Sequence, residues 1–161
     1  MLDIPKLMSL CQADVGYVEG KNNDTKFGIW YGLNFNPWCA MSASKKYFDT
    51  GMITSVAAKN KKKGYASCAE WYKYLVSNHQ LVPVGQAQAG DTIFYDWNGD
   101  GIPDHVGICK GNNTVLKYLN VYEGNTSSGN SGSQNNGDGY YLRKRSYATI
   151  MGVARPKEPT K

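Results

Sequence analysis

The chain has 161 residues, with 18 Lys+Arg against 13 Asp+Glu, a formal net charge of +5, four cysteines and two histidines. Hydrophobic residues make up 41% and charged residues 19%, which suits one folded domain of this length and excludes a disordered or fibrous chain. No apolar run approaches the roughly 20 residues that span a bilayer, and the start Met-Leu-Asp-Ile-Pro-Lys lacks the pattern of a secretory signal, so neither export by such a signal nor stable membrane insertion is expected.

In chain order, Asp3 to about Gly16 predicts a helix, with Asp3 as cap, Pro5 in the first turn and Ile4, Leu7/Met8, Cys11 and Val15 at helical spacing. Gly20 to Asn36 is rich in Gly, Asn and aromatics and predicts a long ordered loop. A second helix is expected to open with Asn36 as N-cap and Pro37 at the first helical position, leaving Cys39 in the first turn, and to close at Asp49-Thr50-Gly51. Ser67-Cys68-Ala69-Glu70 matches a capping box and opens a third. After Pro83 the pattern changes to period two, with candidate strands at 91–96, 105–110, 115–123, 140–147 and 150–154. Helices first and antiparallel strands later argue an α+β fold. Residues 124–139 read as a flexible hairpin excursion. Arg155 to Lys161 reads as the start of a linker, giving a domain over 1–155 and a tail over 156–161.

The basic clusters are Lys59 with Lys61 to Lys63, and Arg143-Lys144-Arg145. They suit solvated loops or attraction to a polyanion. Neither zinc-knuckle spacing nor a helix-turn-helix accompanies them, so no nucleic acid partner is expected. Cys11, Cys39, Cys68 and Cys109 are widely spaced, without Cys-x-x-Cys spacing, and free thiols are expected instead of disulfides or zinc.

Cys39 differs from the other cysteines in its setting. A helix N-terminus presents unpaired N–H groups and a partial positive charge, both of which favour thiolate over thiol. A base for it must be His79 or His105. His79 follows a helix with no carboxylate pattern nearby. His105 opens a strand on which Gly107 leaves room beside the imidazole, and it is the preferred candidate. Glu123 and Asn125, two apart at a strand end, fall on one face of an extended chain. One of them could reach His105 and fix its tautomer, as the third member of a cysteine-hydrolase triad does.

These residues, Trp38-Cys39-Ala40, then Asp104-His105-Val106-Gly107-Ile108, then Glu123-Gly124-Asn125, resemble the CHAP domain, the cysteine, histidine-dependent amidohydrolase/peptidase family found in phage endolysins and bacterial wall hydrolases. Tyr17, Glu19, Asn22, Lys26, Gly28 and Trp30 fit the pattern of one subgroup, as does Gly90-Asp91 before the first long strand, so the resemblance runs over about residues 3 to 155. It implies a papain-like fold with N-terminal helices packed on a C-terminal antiparallel sheet. It also implies Cys39 as nucleophile, His105 as base and then acid, Glu123 as orienter, and Asn125 as a supporting polar group. The implied reaction is hydrolysis of a peptidoglycan amide through a Cys39 acyl-enzyme. Cleavage between N-acetylmuramic acid and L-alanine is favoured over endopeptidase cleavage of the stem or cross-bridge. The resemblance further implies a monomer, made in the host cytoplasm and acting at the bacterial wall, with a possible C-terminal wall-binding domain in the full-length protein. Many relatives carry Gln shortly before the nucleophile, where this chain has Asn36-Pro37-Trp38. An NlpC-type peptidase and a non-catalytic wall-binding module are the alternatives.

Two further readings concern ligands. Asp96, Asn98, Asp100 and Asp104 place side-chain oxygens at alternate positions, Ile102 offers a carbonyl and Gly101 takes the sharp turn, as in the first nine positions of an EF-hand-like loop. Position twelve is Gly107 instead of Glu, and a strand follows, not a helix. A structural calcium ion is expected there; a plain Asn/Asp/Gly turn is the alternative. Trp30, Trp38 and Trp97 are candidates to line a sugar- or peptide-binding groove.

Overall fold

Asp3 Oδ1 accepts from the Lys6 N–H (3.0 Å) and so caps α1, Ile4–Ala13, whose Leu7 and Cys11 turn into the core. The helix stops three residues short of the expected end, and Val15 is exposed beyond it. The structure is a computed structural model describing residues 1–159. Within the Gly/Asn-rich stretch expected to be a loop, Thr25 caps a six-residue helix, α2, Lys26–Tyr31, through its hydroxyl on the Gly28 N–H (2.9 Å). Gly32 at φ 97° closes it in the left-handed conformation that glycine adopts most easily.

α3, Cys39–Asp49, is the central helix, with eight of its eleven residues buried. Ala40, Ser42, Ala43 and Ser44 are small enough to seat it closely on the sheet. Lys46 is buried too, with its ammonium on the Leu10 carbonyl (2.9 Å) and paired with Asp14, which ties α3 to the end of α1. Tyr47 Oη reaches the Gly90 carbonyl at 2.8 Å and Thr92 Oγ1 at 2.8 Å. The Ser67 half of the capping box is present: Ser67 Oγ accepts from the Glu70 N–H (3.2 Å) at the start of α4, Cys68–Ser77.

The strands are β1 Leu81–Val82, β2 Thr92–Tyr95, β3 His105–Asn113, β4 Tyr118–Thr126, β5 Gly139–Ser146 and β6 Ile150–Ala154. They form one antiparallel sheet of order β1-β6-β2-β3-β4-β5. The fold is α+β, helices first, as the element order predicted. Period-two alternation divides the sheet into two faces. Phe94, Val106, Ile108 and Tyr122 pack toward the helices with Leu7, Met41, Tyr47, Trp71 and Leu75, while Ile93, Tyr95, Cys109, Leu119, Val121 and Val153 form a second apolar layer on the other face.

Two segments read as mobile surface make defined contacts with the rest of the fold. The excursion after β4 is folded back and tied: Thr126 Oγ1 donates to the Gln134 carbonyl (3.0 Å), Asn125 Nδ2 to that of Asn135 (3.2 Å), and the Gly137 N–H to that of Asn125 (2.9 Å). Of the expected tail, Pro156 is buried and the Lys157 N–H donates to the Ser55 carbonyl (3.0 Å); Thr160 and Lys161 lie outside the described residues. Among the described residues no helix is long and apolar enough to cross a membrane.

Candidate active site

The sheet register brings the start of β3 beside the end of β4. His105 and Glu123 are both 0% exposed, and His105 Nε2 lies 2.7 Å from Glu123 Oε1. Gly107, between them on the face of the sheet, is required sterically: a Cβ there would fall 2.7 Å from Glu123 Cγ and 2.6 Å from Val121 Cγ1. With Nε2 committed to the carboxylate, Nδ1 has no hydrogen-bond partner and is free to take a proton, and the charge of the imidazole couples to the Cys39 thiol.

Cys39 is the first residue of α3, in place of the later first-turn position that an Asn36 cap would have given. Trp38 occupies the N-cap position and its side chain makes no capping bond, so none of the first-turn N–H groups is taken by the cap. Asn36 instead turns its amide to the Leu33 and Asn34 carbonyls (3.2 and 3.1 Å). It therefore cannot stand in for the glutamine of the resembled pattern.

Glu123 has three partners. Arg145 Nε donates to Oε2 (2.9 Å) and Nη2 to Oε1 (2.6 Å), and Tyr95 Oη donates to Oε2 (2.9 Å). Burial alone would raise the carboxyl pKa, but the Arg145 and His105 hydrogen bonds overcome it and bring it to about 2. Burial likewise works against the imidazolium, yet Cys39 and Glu123 beside it push His105 up to about 9. At Cys39 the hydrogen bond from Cys68 leads, burial opposes it, and His105 adds to it; the outcome is a thiol held well below its usual 9.0. All three shifts run toward the charged forms, with Arg145 beside the carboxylate as a balancing cation.

Arg145, Tyr95 and Cys68 were not anticipated. Arg143-Lys144-Arg145 had read as a basic surface cluster, but strand alternation turns Arg143 and Arg145 inward, both 7% exposed, and only Lys144 stays outside. The two-residue spacing of the arginines in a strand was the available signal. Arg145 Nη1 also donates to Gln134 Oε1 (2.8 Å), so the folded-back excursion braces the ion pair.

Asn125 does not meet His105. β4 changes register against β5 between Glu123 and Thr126, and Asn125 sits at φ 55°, which breaks the alternation that would have kept it on the Glu123 face. Its Nδ2 holds the Asn135 carbonyl instead.

The three tryptophans separate. Trp38 is 0% exposed, stacked on Phe27 (5.3 Å, 9°) with Nε1 donating to Glu19 Oε2 (2.7 Å), and lies over Gly124, where a Cβ would come within 2.7 Å of its ring. It is core and cannot touch substrate as placed. Trp30 packs on Phe48 with Lys45 and Lys63 over its ring. Trp97 stacks on Tyr95 (5.0 Å, 4°), 6.4 Å from the His105 ring, and is half-buried at the site. Beyond Glu19 opens a polar cleft of about 470 Å³, lined also by Ser127, Ser128, Asn136 and Asp138.

In the Asp96–Asp104 loop, Asp96 accepts from the Gly99 and Gly101 N–H groups (2.8 Å each), Asn98 Oδ1 from Asp100 (3.2 Å), and Asp100 Oδ1 from Ile102 (2.9 Å). Gly101 takes φ 83°, as the sharp turn of a calcium loop requires. The backbone therefore fits such a loop, and each carboxylate keeps lone pairs beyond those engaged. The side chains are less gathered: among the described residues no three His, Cys, Asp or Glu groups stand together to hold a metal ion.

No protein-family profile and no curated protein matches the chain. Among solved structures it is similar to the crystal structure of a wild-type endolysin, LysIME-EF1, with a TM-score of 0.58 at 13% identity over 97% of this chain. At that identity the likeness is one of fold: the chain has an endolysin-like fold, and it spans 65% of the length of the endolysin chain.

Proposed function

We propose that this chain is a peptidoglycan hydrolase of the cysteine amidohydrolase/peptidase type, cleaving an amide of the bacterial wall. The single observation that supports it best is the buried row Cys39, His105 and Glu123, with His105 Nε2 2.7 Å from the carboxylate and Cys39 at a helix N-terminus. A thiol held well below its usual pKa by Cys68 and the neighbouring His105 favours a reactive site over a pure binding module. The endolysin-like fold supports the wall as substrate.

In this reading the Cys39 thiolate attacks the amide carbonyl carbon, and the oxyanion forms against the Cys39 N–H at the open end of α3. His105 gives its proton to the leaving amine, then takes one from water as that water attacks the thioester. Glu123 keeps the imidazole in one orientation and favours its cationic form, and Arg145 keeps Glu123 ionised. The half-buried Trp97 and the polar cleft beside Glu19 supply surface for sugar and peptide. Asn125 acts on the site only indirectly, its Nδ2 and its carbonyl anchoring the excursion that carries Gln134. N-acetylmuramoyl-L-alanine cleavage is the favoured bond, with a monomeric catalytic unit served by a wall-binding domain. Calcium in the Asp96–Asp104 loop, held by Asp96, Asn98, Asp100, Asp104 and the Ile102 carbonyl, would be structural and take no part in the chemistry. Incubation with purified peptidoglycans and mass spectrometry of the soluble fragments tests the reading. Fragments with a free L-alanine amine and intact glycan support amidase action, shortened stems or bridges assign an endopeptidase, and no release from any wall sinks the hydrolase.

A further inference from the structure

Cys68 forms no bond to substrate in the hydrolysis described above and serves there only to hold Cys39 as thiolate, yet its sulfur stands 3.6 Å from that of Cys39. Both residues open helices, Cys39 at α3 and Cys68 at α4, so two helix N-termini converge on one pair of sulfurs. The convergence is built into the packing. Ser44 Oγ accepts from the Tyr65 N–H and donates to the Tyr65 carbonyl, both at 3.0 Å, which fixes the approach to α4 on the flank of α3. Gly64 lies so close that a Cβ there would fall 2.4 Å from Ser44 Oγ. All four thiols of the chain are free, and Cys39 and Cys68 are 5% and 8% exposed, open only to a small reagent.

We propose that Cys68 is the resolving thiol of Cys39: a peroxide-class oxidant converts the pair into a reversible disulfide that switches hydrolysis off and spares the nucleophile from further oxidation. The Cys39 thiolate attacks one peroxide oxygen; the S–O bond forms, the O–O bond breaks, and hydroxide leaves to become water with the proton held on His105. Cys39 is then a sulfenic acid. Cys68 sulfur attacks the Cys39 sulfur; the S–S bond forms, the S–O bond breaks, and hydroxide departs as water with the Cys68 proton. Overall the two thiols lose two electrons and hydrogen peroxide is reduced to two waters. The sulfurs must close from 3.6 Å to about 2.0 Å, which rotation of both side chains supplies. Burial pushes Cys11 up to about 11 and Cys109 up to about 12, and the Cys39 bond with burial pushes Cys68 well above its usual 9.0, so Cys39 alone offers peroxide a thiolate and Cys68 attacks as a thiol that gives up its proton in that step.

The loss of hydrolysis rests on the function proposed above; the disulfide does not, and the test reads them separately. Wild-type protein is treated with hydrogen peroxide, alkylated after denaturation, digested and mapped by mass spectrometry. The expected result is a Cys39–Cys68 cross-linked peptide with Cys11 and Cys109 alkylated, and full return of native-state Cys39 labelling by iodoacetamide after dithiothreitol. In Cys68→Ala, the same peroxide carries Cys39 to sulfinic acid, and dithiothreitol restores none of that labelling. A wild-type protein that keeps four alkylatable thiols, or whose Cys39 becomes sulfinic acid without joining Cys68, overturns the proposal, and this map decides even if the variant does not fold. Untreated protein that lyses no wall counts against the hydrolase alone.

Discussion

Arg145 grips Glu123 with two nitrogens, Nε on Oε2 at 2.9 Å and Nη2 on Oε1 at 2.6 Å, in a place where the carboxylate sees no water. A buried carboxylate that turned only to His105 would face a large desolvation cost and would tend to protonate. With the guanidinium in place it stays charged, and its charge is what favours the imidazolium.

Removing that guanidinium strands a buried charge. Arg145→Met is expected to lose about 3–5 kcal/mol of stability, the usual cost of breaking a buried pair from one side. Arg145→Lys should recover part of the stability, since a point charge cannot reproduce the fork. Urea denaturation measures both. If Arg145→Met unfolds at the wild-type midpoint, the ion pair has no structural weight.

The same charges set a pH window. Glu123 falls from 4.5 to about 2 on folding, so its contribution is complete above about 4.5 and is lost as pH falls toward 2. His105 rises from 6.5 to about 9, so its contribution is complete below about 6.5 and is lost as pH rises through 9. The Cys39 thiol is lowered from its usual 9.0, so its contribution is complete above about 9 and is lost as pH falls, which offsets the His105 loss between 6.5 and 9. Tm should therefore rise from acid to about pH 6.5 and level off there, and Glu123→Gln should flatten the part of the rise below about 4.5. A Tm profile unchanged in shape by Glu123→Gln would contradict the assignment.

Gly107 is a small residue with a large role. Gly107→Ala places a methyl into Val121 and Glu123, and overpacking of this kind costs roughly 1–3 kcal/mol. Because Glu123 must shift, wall-lytic kcat should fall by more than the stability loss explains. Crystals of the variant with Glu123 unmoved, together with wild-type lysis, would remove the steric argument.

Calcium has its own readout. If the Asp96–Asp104 loop binds the ion, calcium at a hundred times its Kd should raise Tm by roughly 5–10 °C over chelated protein, and Asp96→Asn with Asp100→Asn should abolish the rise. Equal melting in calcium and in chelator, with no heat of binding by calorimetry, would leave the loop as a turn closed by its own amides.

Much of this was readable from local signals. The Asp3 cap and the Ser67–Glu70 capping box act within one turn, and the period-two run after Pro83 marks the strands directly. Cys39 and His105 stood out because each begins an element, and histidine was scarce. What failed depended on longer range. Asn125 followed the strand period on paper, but the register change after Glu123 turns it away. Arg145 reaches Glu123 from a partner strand, where Arg145 pairs with Leu119 and the long side chain runs along the face to the carboxylate. Cys68 read as one more free thiol because nothing in the sequence tells where two helix starts meet. α2 is too short for helical periodicity to emerge from its Gly- and aromatic-rich surroundings. Trp38 looked like a groove residue by its place beside Cys39, and packing against Phe27 and Gly124 made it core.

The central claim is that Cys39 is the nucleophile of an amide hydrolase acting on the wall. The most direct measurement is the rate of amine release from purified peptidoglycan by wild type and by Cys39→Ala, with far-UV circular dichroism and Tm recorded on both. The expected result is a folded variant whose rate falls by roughly three orders of magnitude or more, as when a triad member is removed. A folded Cys39→Ala protein that releases amines at the wild-type rate would contradict it.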